Sequence, residues 1–261
     1  MKLPALYTDL AEFYYLLSND RDFNGQVEFI WRSLCSNQSN TEPPRVLELF
    51  AGPAFHSINF IKNYNATVRC VDASEAMKTI ACRDGLIQST DYIIVSLPEL
   101  LEIADFTYFF DCVLILRYSI GYLEPEQLEL LLFNLASIMK HGSPIVIELH
   151  LLNLLRQNLE KLQIRERTVS LENGKNLRCI WPNDSLIWGD DDWSVQMPVL
   201  LEIFEGEKKL EEYHLISPEH IYVANDFRRL ANRTNCFSFE DVSFQARTVF
   251  SESKLVVLRR R

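Results

Sequence analysis

Between residues 45 and 150 the chain alternates short apolar runs with helical patterns, and this alternation restricts its fold more than any other feature. The runs fall at 46–50, 67–71, 92–96, 112–116 and 145–149. Each is brief and almost wholly apolar, as strands buried on both faces must be. The segments between them carry helix punctuation. Ser74 stands where it can cap a helix ending near Gly85. Pro125 suits the first turn of another, with Leu128, Leu131, Leu132, Leu135 and Ile138 inward and Gly142 after its end. Strands and helices taking turns in this way predict a parallel sheet with helical crossovers.

The flanks read differently. Leu3, Leu6, Tyr7, Leu10, Phe13, Tyr14 and Leu17 recur at steps of three and four, which predicts one helix with an apolar stripe. Asp22 can cap a second helix with Phe23, Val27, Ile30, Trp31 and Leu34 inward, and the polar stretch 36–44 reads as a linker. After residue 151 a short helix is expected, then antiparallel strands in LRCIW, SVQMPVLLEIF and KLEEYHLI, with GEKK turning the last two. Ser217 and Pro218 are expected to open a helix with Ile221, Phe227, Leu230 and Ala231 inward. Strands near 239–244 and 255–258 then close the chain. The predicted organisation is an N-terminal helical lid over 1–40, an α/β core over 41–150 and 218–261, and an inserted β-rich cap over 151–217.

Charge narrows the partners. The chain has 26 Lys and Arg against 36 Asp and Glu, a formal net charge of -10. Nucleic-acid binding draws on concentrated positive charge, so no nucleic-acid partner is expected. No run approaches the ~20 apolar residues that span a bilayer, and the start lacks the marks of a signal peptide. The six cysteines (Cys35, Cys70, Cys82, Cys112, Cys179 and Cys236) are scattered, without a close pair suited to a metal. A reducing, cytoplasmic setting without membrane partner or bound metal is therefore expected.

Chemistry concentrates in VLELFAGPAFHS, residues 46–57. An apolar strand carries an acidic residue near its end, then a small-residue loop, then a helix start, where backbone can approach a ligand closely. Twenty residues beyond Gly52 the next strand ends in Asp72, whose carboxylate can accept hydrogen bonds from both hydroxyls of a ribose. Facing a ligand at a strand end, that carboxylate is expected to have little packing role. A dinucleotide would lay a pyrophosphate over the loop and usually needs three glycines. Here Phe50 and Ala54 flank Gly52, and the charge of Glu48 opposes a pyrophosphate while suiting an ammonium group.

VLELFAGPAFHS thus resembles the first motif of the class I S-adenosylmethionine-dependent methyltransferases, and VDASEAM, residues 71–77, resembles their second-strand motif. FDCVLILRYSIGYL, residues 110–123, looks like their fourth strand and following loop. HGSPIVIELH, residues 141–150, looks like the turn and fifth strand. The N-terminal helices, the antiparallel insert, IGYL and YHLISPEHI resemble small-molecule members of the amino-sugar and glycine N-methyltransferase type. The resemblance implies a doubly wound, mostly parallel seven-stranded Rossmann-like sheet with one strand pair antiparallel and an inserted antiparallel β cap. It also implies a cap and lid enclosing an acceptor pocket at the carboxyl edge.

By position in these motifs, Glu48, Phe50, Ala51, Gly52, Asp72, Ala73, Met77, Ser96, Leu97, Leu116 and Arg117 are the candidates for holding the cofactor. Tyr14, Tyr118 and His214 are candidates for the acceptor, and His150, Glu148 and Tyr14 for catalysis. Glu148 and His150 share one face of their strand, where either can relieve an acceptor of a proton. His56 reads as a cap or packing residue. Two departures stand out. Phe50 and Ala54 occupy places where the family loop commonly has glycine, and close approach at Ala54 calls for a negative φ. Ser96 stands where the third strand usually ends in an acid, with Glu99 as a possible substitute. The implied activity is methyl transfer to N or O of a small polar molecule. The alternatives are a non-catalytic relative that binds the cofactor in a regulatory role, and a nicotinamide-dependent oxidoreductase, which the missing glycines disfavour.

Overall fold

The computed structural model describes residues 3–35, 42–99, 106, 109–151, 166–190 and 193–261. In chain order its helices are α1 (Ala11–Ser18), α2 (Phe23–Phe29), α3 (Phe55–Tyr64), α4 (Glu75–Ala81), α5 (Pro125–Ser137), α6 (Ala224–Thr234) and α7 (Ser243–Ala246). Five strands precede the insert: β1 (Arg45–Leu49), β2 (Thr67–Asp72), β3 (Tyr92–Ile94), β4 (Cys112–Ile115) and β5 (Pro144–His150). The insert holds β6 (Glu166–Ser170), β7 (Lys175–Ile180), β8 (Ile187–Trp188), β9 (Ser194–Glu205) and β10 (Lys208–His220), and β11 (Phe237–Asp241) and β12 (Ser253–Arg260) follow.

The contacts divide the chain into two units, one built from the described parts of 22–151 and 222–261, the other from those of 1–21 and 152–221. The first is the α/β unit. Its sheet runs β11-β12-β5-β4-β1-β2-β3; β1 to β5 pair in parallel, and β12 is antiparallel to both β5 and β11. The seven-stranded, doubly wound sheet with one reversed strand is therefore observed.

Alternation along each strand builds a core on both faces. Leu47, Leu49, Val113, Ile115, Ile145 and Ile147 pack with α5 (Leu128, Leu131, Leu132, Leu135) and α6 (Phe227, Leu230, Ala231). Val46, Val68, Cys70, Leu114, Val146 and Val257 pack on the opposite face, with Phe60 of α3 and Ala246 of α7. The same face takes Val27 of α2 and Ile30, Trp31 and Leu34 of the wider turn that continues it. Burying an apolar side chain of this size contributes about 1.5–3 kcal/mol, so these four residues fix α2 to the sheet. Asp22 caps α2 by accepting from the Gly25 amide, Ser74 caps α4 by accepting from Met77, and Pro125 opens α5.

The second unit is the antiparallel sheet β10-β9-β7-β6 with β8 beside β9. One face carries Leu177, Cys179, Val199, Leu201 and Ile203 and packs against Leu6 and Leu17 of the N-terminal segment. The apolar stripe of the first helix is thus spent here, although the helix itself is broken into a 3-10 turn at Ala5–Tyr7 followed by α1. The two N-terminal helices, expected to act together as one segment, fall in different units because their apolar faces meet different sheets.

Two boundary expectations are corrected. No helix begins at Ser217: β10 continues to His220, paired with β9 as far as Ser194, and α6 starts at Ala224. Pro218 is tolerated because β10 is an edge strand, which leaves an outward N–H dispensable. The chain also leaves β11 at Asp241, whose Oδ1 accepts from the Ser243 amide and hydroxyl, so Phe244 lies in α7 and is exposed. The turn at Gly206 is as expected: Gly206, with φ 60°, and Glu207 join β9 to β10. The helix expected just after residue 151 and most of the 36–44 linker lie outside the described residues.

Candidate functional site

The turn from β1 into α3 reverses so tightly that Phe50, Gly52 and Ala54 all take positive φ, at 53°, 51° and 57°. The negative φ required of Ala54 is not what forms. A side chain in this left-handed region costs about 1–2 kcal/mol, so Phe50 and Ala54 must be held there by their surroundings. The holders are visible. The Ala51 amide donates to Val71 O at 3.0 Å, and the Ala54 amide to Ala51 O at 2.8 Å. Gly52 is gripped from both sides: its amide donates to Asp72 Oδ2 at 2.8 Å, and its carbonyl accepts from Tyr92 Oη at 2.7 Å. Burial pushes the Tyr92 phenol well above its usual pKa, which keeps it a donor.

Asp72, at the end of β2, is half-buried. Its Oδ1 accepts from the Ser74 amide at 2.9 Å, so one carboxylate ties the first loop to the start of α4. Burial raises its pKa, against the lowering effect of the amides of Gly52, Ser74 and Ala73. The expectation that this carboxylate has little structural role is therefore corrected. These amides take up part of the carboxylate's accepting capacity and leave the rest for a ligand. Ala73 is half-buried beside it, and Met77 is buried one turn into α4.

Glu48 lies beneath the loop. It is 4% exposed; its Oε2 accepts from the Ser57 amide at 2.9 Å, and its Oε1 lies 3.2 Å from His56 Nδ1. His56 Nε2 in turn lies 2.9 Å from Gln26 Oε1, and Gln26 Nε2 donates to Val249 O at 2.9 Å. The ammonium contact expected of Glu48, direct or through water, meets a carboxylate turned inward onto α3, with Oε2 taken by the Ser57 amide and Oε1 facing His56.

At the end of β4 two consecutive residues, Arg117 and Tyr118, take positive φ, 58° and 63°. Leu116 is buried, and its carbonyl accepts from the Ser119 hydroxyl at 2.7 Å. Glu148 pins the turn: its Oε2 accepts from the Arg117 amide at 2.7 Å while Oε1 accepts from the Ser253 hydroxyl. Glu148 has no exposed surface, so the role of base proposed for it is corrected to that of a holder of the turn. His150, two residues on, is half-buried and stacks on the Tyr118 ring, with centroids 4.0 Å apart and planes within 12°. The Phe50 and Tyr122 rings, 6.4 Å apart, join the β1 turn to the segment after β4. Ser96 is exposed just past β3, its carbonyl accepting from the Glu99 amide, and Leu97 packs against the core.

The carboxyl ends of β1 to β5 thus gather Phe50, Ala51, Gly52, Asp72, Ala73, Ser96, Leu97, Leu116, Arg117, Tyr118 and His150 in one unit. Tyr14 and His214 belong to the other. Tyr14 is half-buried in that unit's own core, edge-on to Tyr7 at 5.0 Å, which makes it a packing residue. His214 lies on the sheet face opposite that core, exposed and paired with Glu212. Among the described residues no group of three His, Cys, Asp or Glu is arranged to hold a metal, and no helix is long and apolar enough to cross a membrane. Sequence reasoning missed Tyr92, Gln26 and Ser253. Each lies far along the chain from the group it serves, and none stands in a motif.

No protein-family model matches this sequence, and no curated protein matches it. Solved structures do. DesVI of Streptomyces venezuelae aligns with TM-score 0.73 at 15% identity, over 97% of this chain and 98% of that one. The sugar N-methyltransferase KedS8 from Streptoalloteichus aligns with TM-score 0.73 at 16% identity, over 100% and 95%. CalS10, an amino pentose methyltransferase from Micromonospora echinaspora solved with S-adenosylmethionine bound, aligns with TM-score 0.70 at 11% identity, over 96% of each chain. At these identities the likeness is one of fold.

Proposed function

We propose that the α/β unit binds S-adenosylmethionine and that the protein transfers its methyl group to a nitrogen or oxygen of a small polar acceptor. The observation that carries this reading is how the loop's donors are spent. The amides of Gly52, Ala54 and Ser57 donate to Asp72, Ala51 and Glu48, so the turn and the start of α3 offer little to a pyrophosphate. The anion that such a helix start attracts is already supplied from within by Glu48. What the site does offer is the Asp72 carboxylate at a strand end, suited to the ribose hydroxyls of a nucleoside that carries no pyrophosphate. The likeness in fold to the KedS8 and CalS10 methyltransferase structures supports the same conclusion.

S-adenosylmethionine carries its methyl on a positively charged sulfur, so the activation of the bond comes from the cofactor. The chain's residues bind and orient. Asp72 accepts from the ribose hydroxyls, Leu97 and Leu116 provide apolar surface beyond the strand ends, and Met77 backs the site from the first turn of α4. Ser96 is the candidate for a polar edge of the adenine. His150 is the residue suited to take a proton from the acceptor at a ring nitrogen, its plane set by the Tyr118 stack.

Calorimetry with S-adenosylhomocysteine and with NAD tests the first half; binding of NAD alone would overturn it. Labelled S-adenosylmethionine offered to amino sugars, other amines, small hydroxyl compounds, RNA and a protein extract tests the second half. Transfer to small molecules is expected. Labelling of RNA or protein alone refutes the small acceptor, and tight binding without any transfer would favour the non-catalytic reading.

A further inference from the structure

A chain of polar groups runs under the loop from Glu48 through His56 and Gln26 to Val249, and its donors and acceptors can be assigned. Val249 O only accepts, so the Gln26 atom 2.9 Å from it is the amide nitrogen, and the Gln26 oxygen faces His56. His56 Nε2 therefore carries a hydrogen. On the other side of the ring, Nδ1 meets Glu48 Oε1 at 3.2 Å, while Glu48 Oε2 already accepts from Ser57. A bare ring nitrogen against a bare carboxylate oxygen would be repulsive in a place where His56 and Glu48 are 2% and 4% exposed. One hydrogen must lie between them.

We infer that His56 is a positioning residue for the cofactor loop, acting through Glu48: it turns the carboxylate onto the Ser57 amide and so sets the start of α3 and the left-handed turn before it. Three elements and a distant turn meet at this point: β1 with Glu48, α3 with His56, α2 with Gln26, and the segment after α7 with Val249. Phe23 packs edge-on against the imidazole at 5.1 Å. That the loop receives S-adenosylmethionine rests on the function proposed above; the positioning itself does not.

The test separates the two ends of the ring. His56→Asn keeps a donor near Nδ1 for Glu48, His56→Gln keeps one near Nε2 for Gln26, and His56→Leu keeps neither. Hydrogen exchange of the amides of residues 50–58 is followed in the ligand-free proteins, and S-adenosylhomocysteine affinity by calorimetry. Protection of the Gly52 and Ser57 amides should survive in the Asn variant and be lost in the Gln and Leu variants. Affinity should fall by about threefold or less in the first and about tenfold or more in the others, the loss expected for one hydrogen bond to a charged group. Equal protection and affinity in all three, or equal loss, would overturn the inference, since a purely packing role makes no distinction between the two nitrogens. If the Leu variant fails to fold, the Asn and Gln variants still carry the comparison. If the parent protein does not bind S-adenosylhomocysteine, the proposed function falls while the exchange pattern still decides the role of His56.

Discussion

Asp72→Asn removes one oxygen and little else, and the structure specifies its cost. Both Asp72 oxygens face backbone amides, Gly52 at 2.8 Å and Ser74 at 2.9 Å. Asparagine can accept from only one of them; its NH2 group is then set against the other N–H, and neither can reverse its role. A hydrogen bond to a charged group is worth about 1.5–3 kcal/mol. Removing a buried charge whose pKa is already raised recovers part of that, which leaves a net loss of about 1–2 kcal/mol. Cofactor binding suffers separately, because one ribose hydroxyl loses its charged acceptor, a loss of about tenfold or more in affinity. Urea unfolding reads the first quantity, and calorimetry with S-adenosylhomocysteine, at a concentration where the variant is fully folded, reads the second. Unchanged stability would mean that the two amides do not depend on the carboxylate. Unchanged affinity with reduced stability would confine Asp72 to a structural role and refute its assignment to the ribose.

Three further outcomes are expected. Because burial raises the Asp72 pKa, S-adenosylhomocysteine affinity should fall as pH drops through a window beginning above the ordinary aspartate range, by up to about tenfold per pH unit. In the free protein the sign is opposite: the folded state holds this proton more tightly than the unfolded chain, so the contribution of Asp72 to stability grows as pH falls and is lost as pH rises through its folded pKa. A flat affinity profile in calorimetry, or one shared with Asp72→Asn, would contradict this. Glu148→Gln should cost under about 1 kcal/mol in urea unfolding, because the Ser253 hydroxyl can turn and accept from the new amide. Glu148→Leu strands the Arg117 amide and should cost about 2–3 kcal/mol. At Ala54, with φ 57° and no exposure, glycine relieves about 1–2 kcal/mol of strain but loses a buried methyl worth about 0.8 and gains freedom in the unfolded chain. The melting temperature of Ala54→Gly should therefore barely move, whereas Ala54→Val, β-branched and without space, should lose at least about 2 kcal/mol.

The sequence by itself determined the parallel sheet and its two cores. A strand buried on both faces is almost wholly apolar, and a helix that covers it repeats its apolar residues every three to four positions; both signals are local. It also determined the caps at Asp22 and Ser74, the turn at Gly206 and the placing of Asp72 at the edge, since each depends on residues a few positions apart. The edge strand carrying Pro218 was not legible, because proline and serine open helices as readily as they sit at a sheet edge, and only the partner strand decides between them. The direction of a buried polar side chain was equally beyond reach. Glu48, Glu148 and His150 look alike as strand-end polar residues, yet two turn inward onto backbone amides and one lies against an aromatic ring. What separates them is the location of backbone donors on other elements, the start of α3 for Glu48 and the turn after β4, 31 residues away, for Glu148. Buried donors and acceptors must be paired wherever the fold brings them together, and that meeting exists only once the chain has folded.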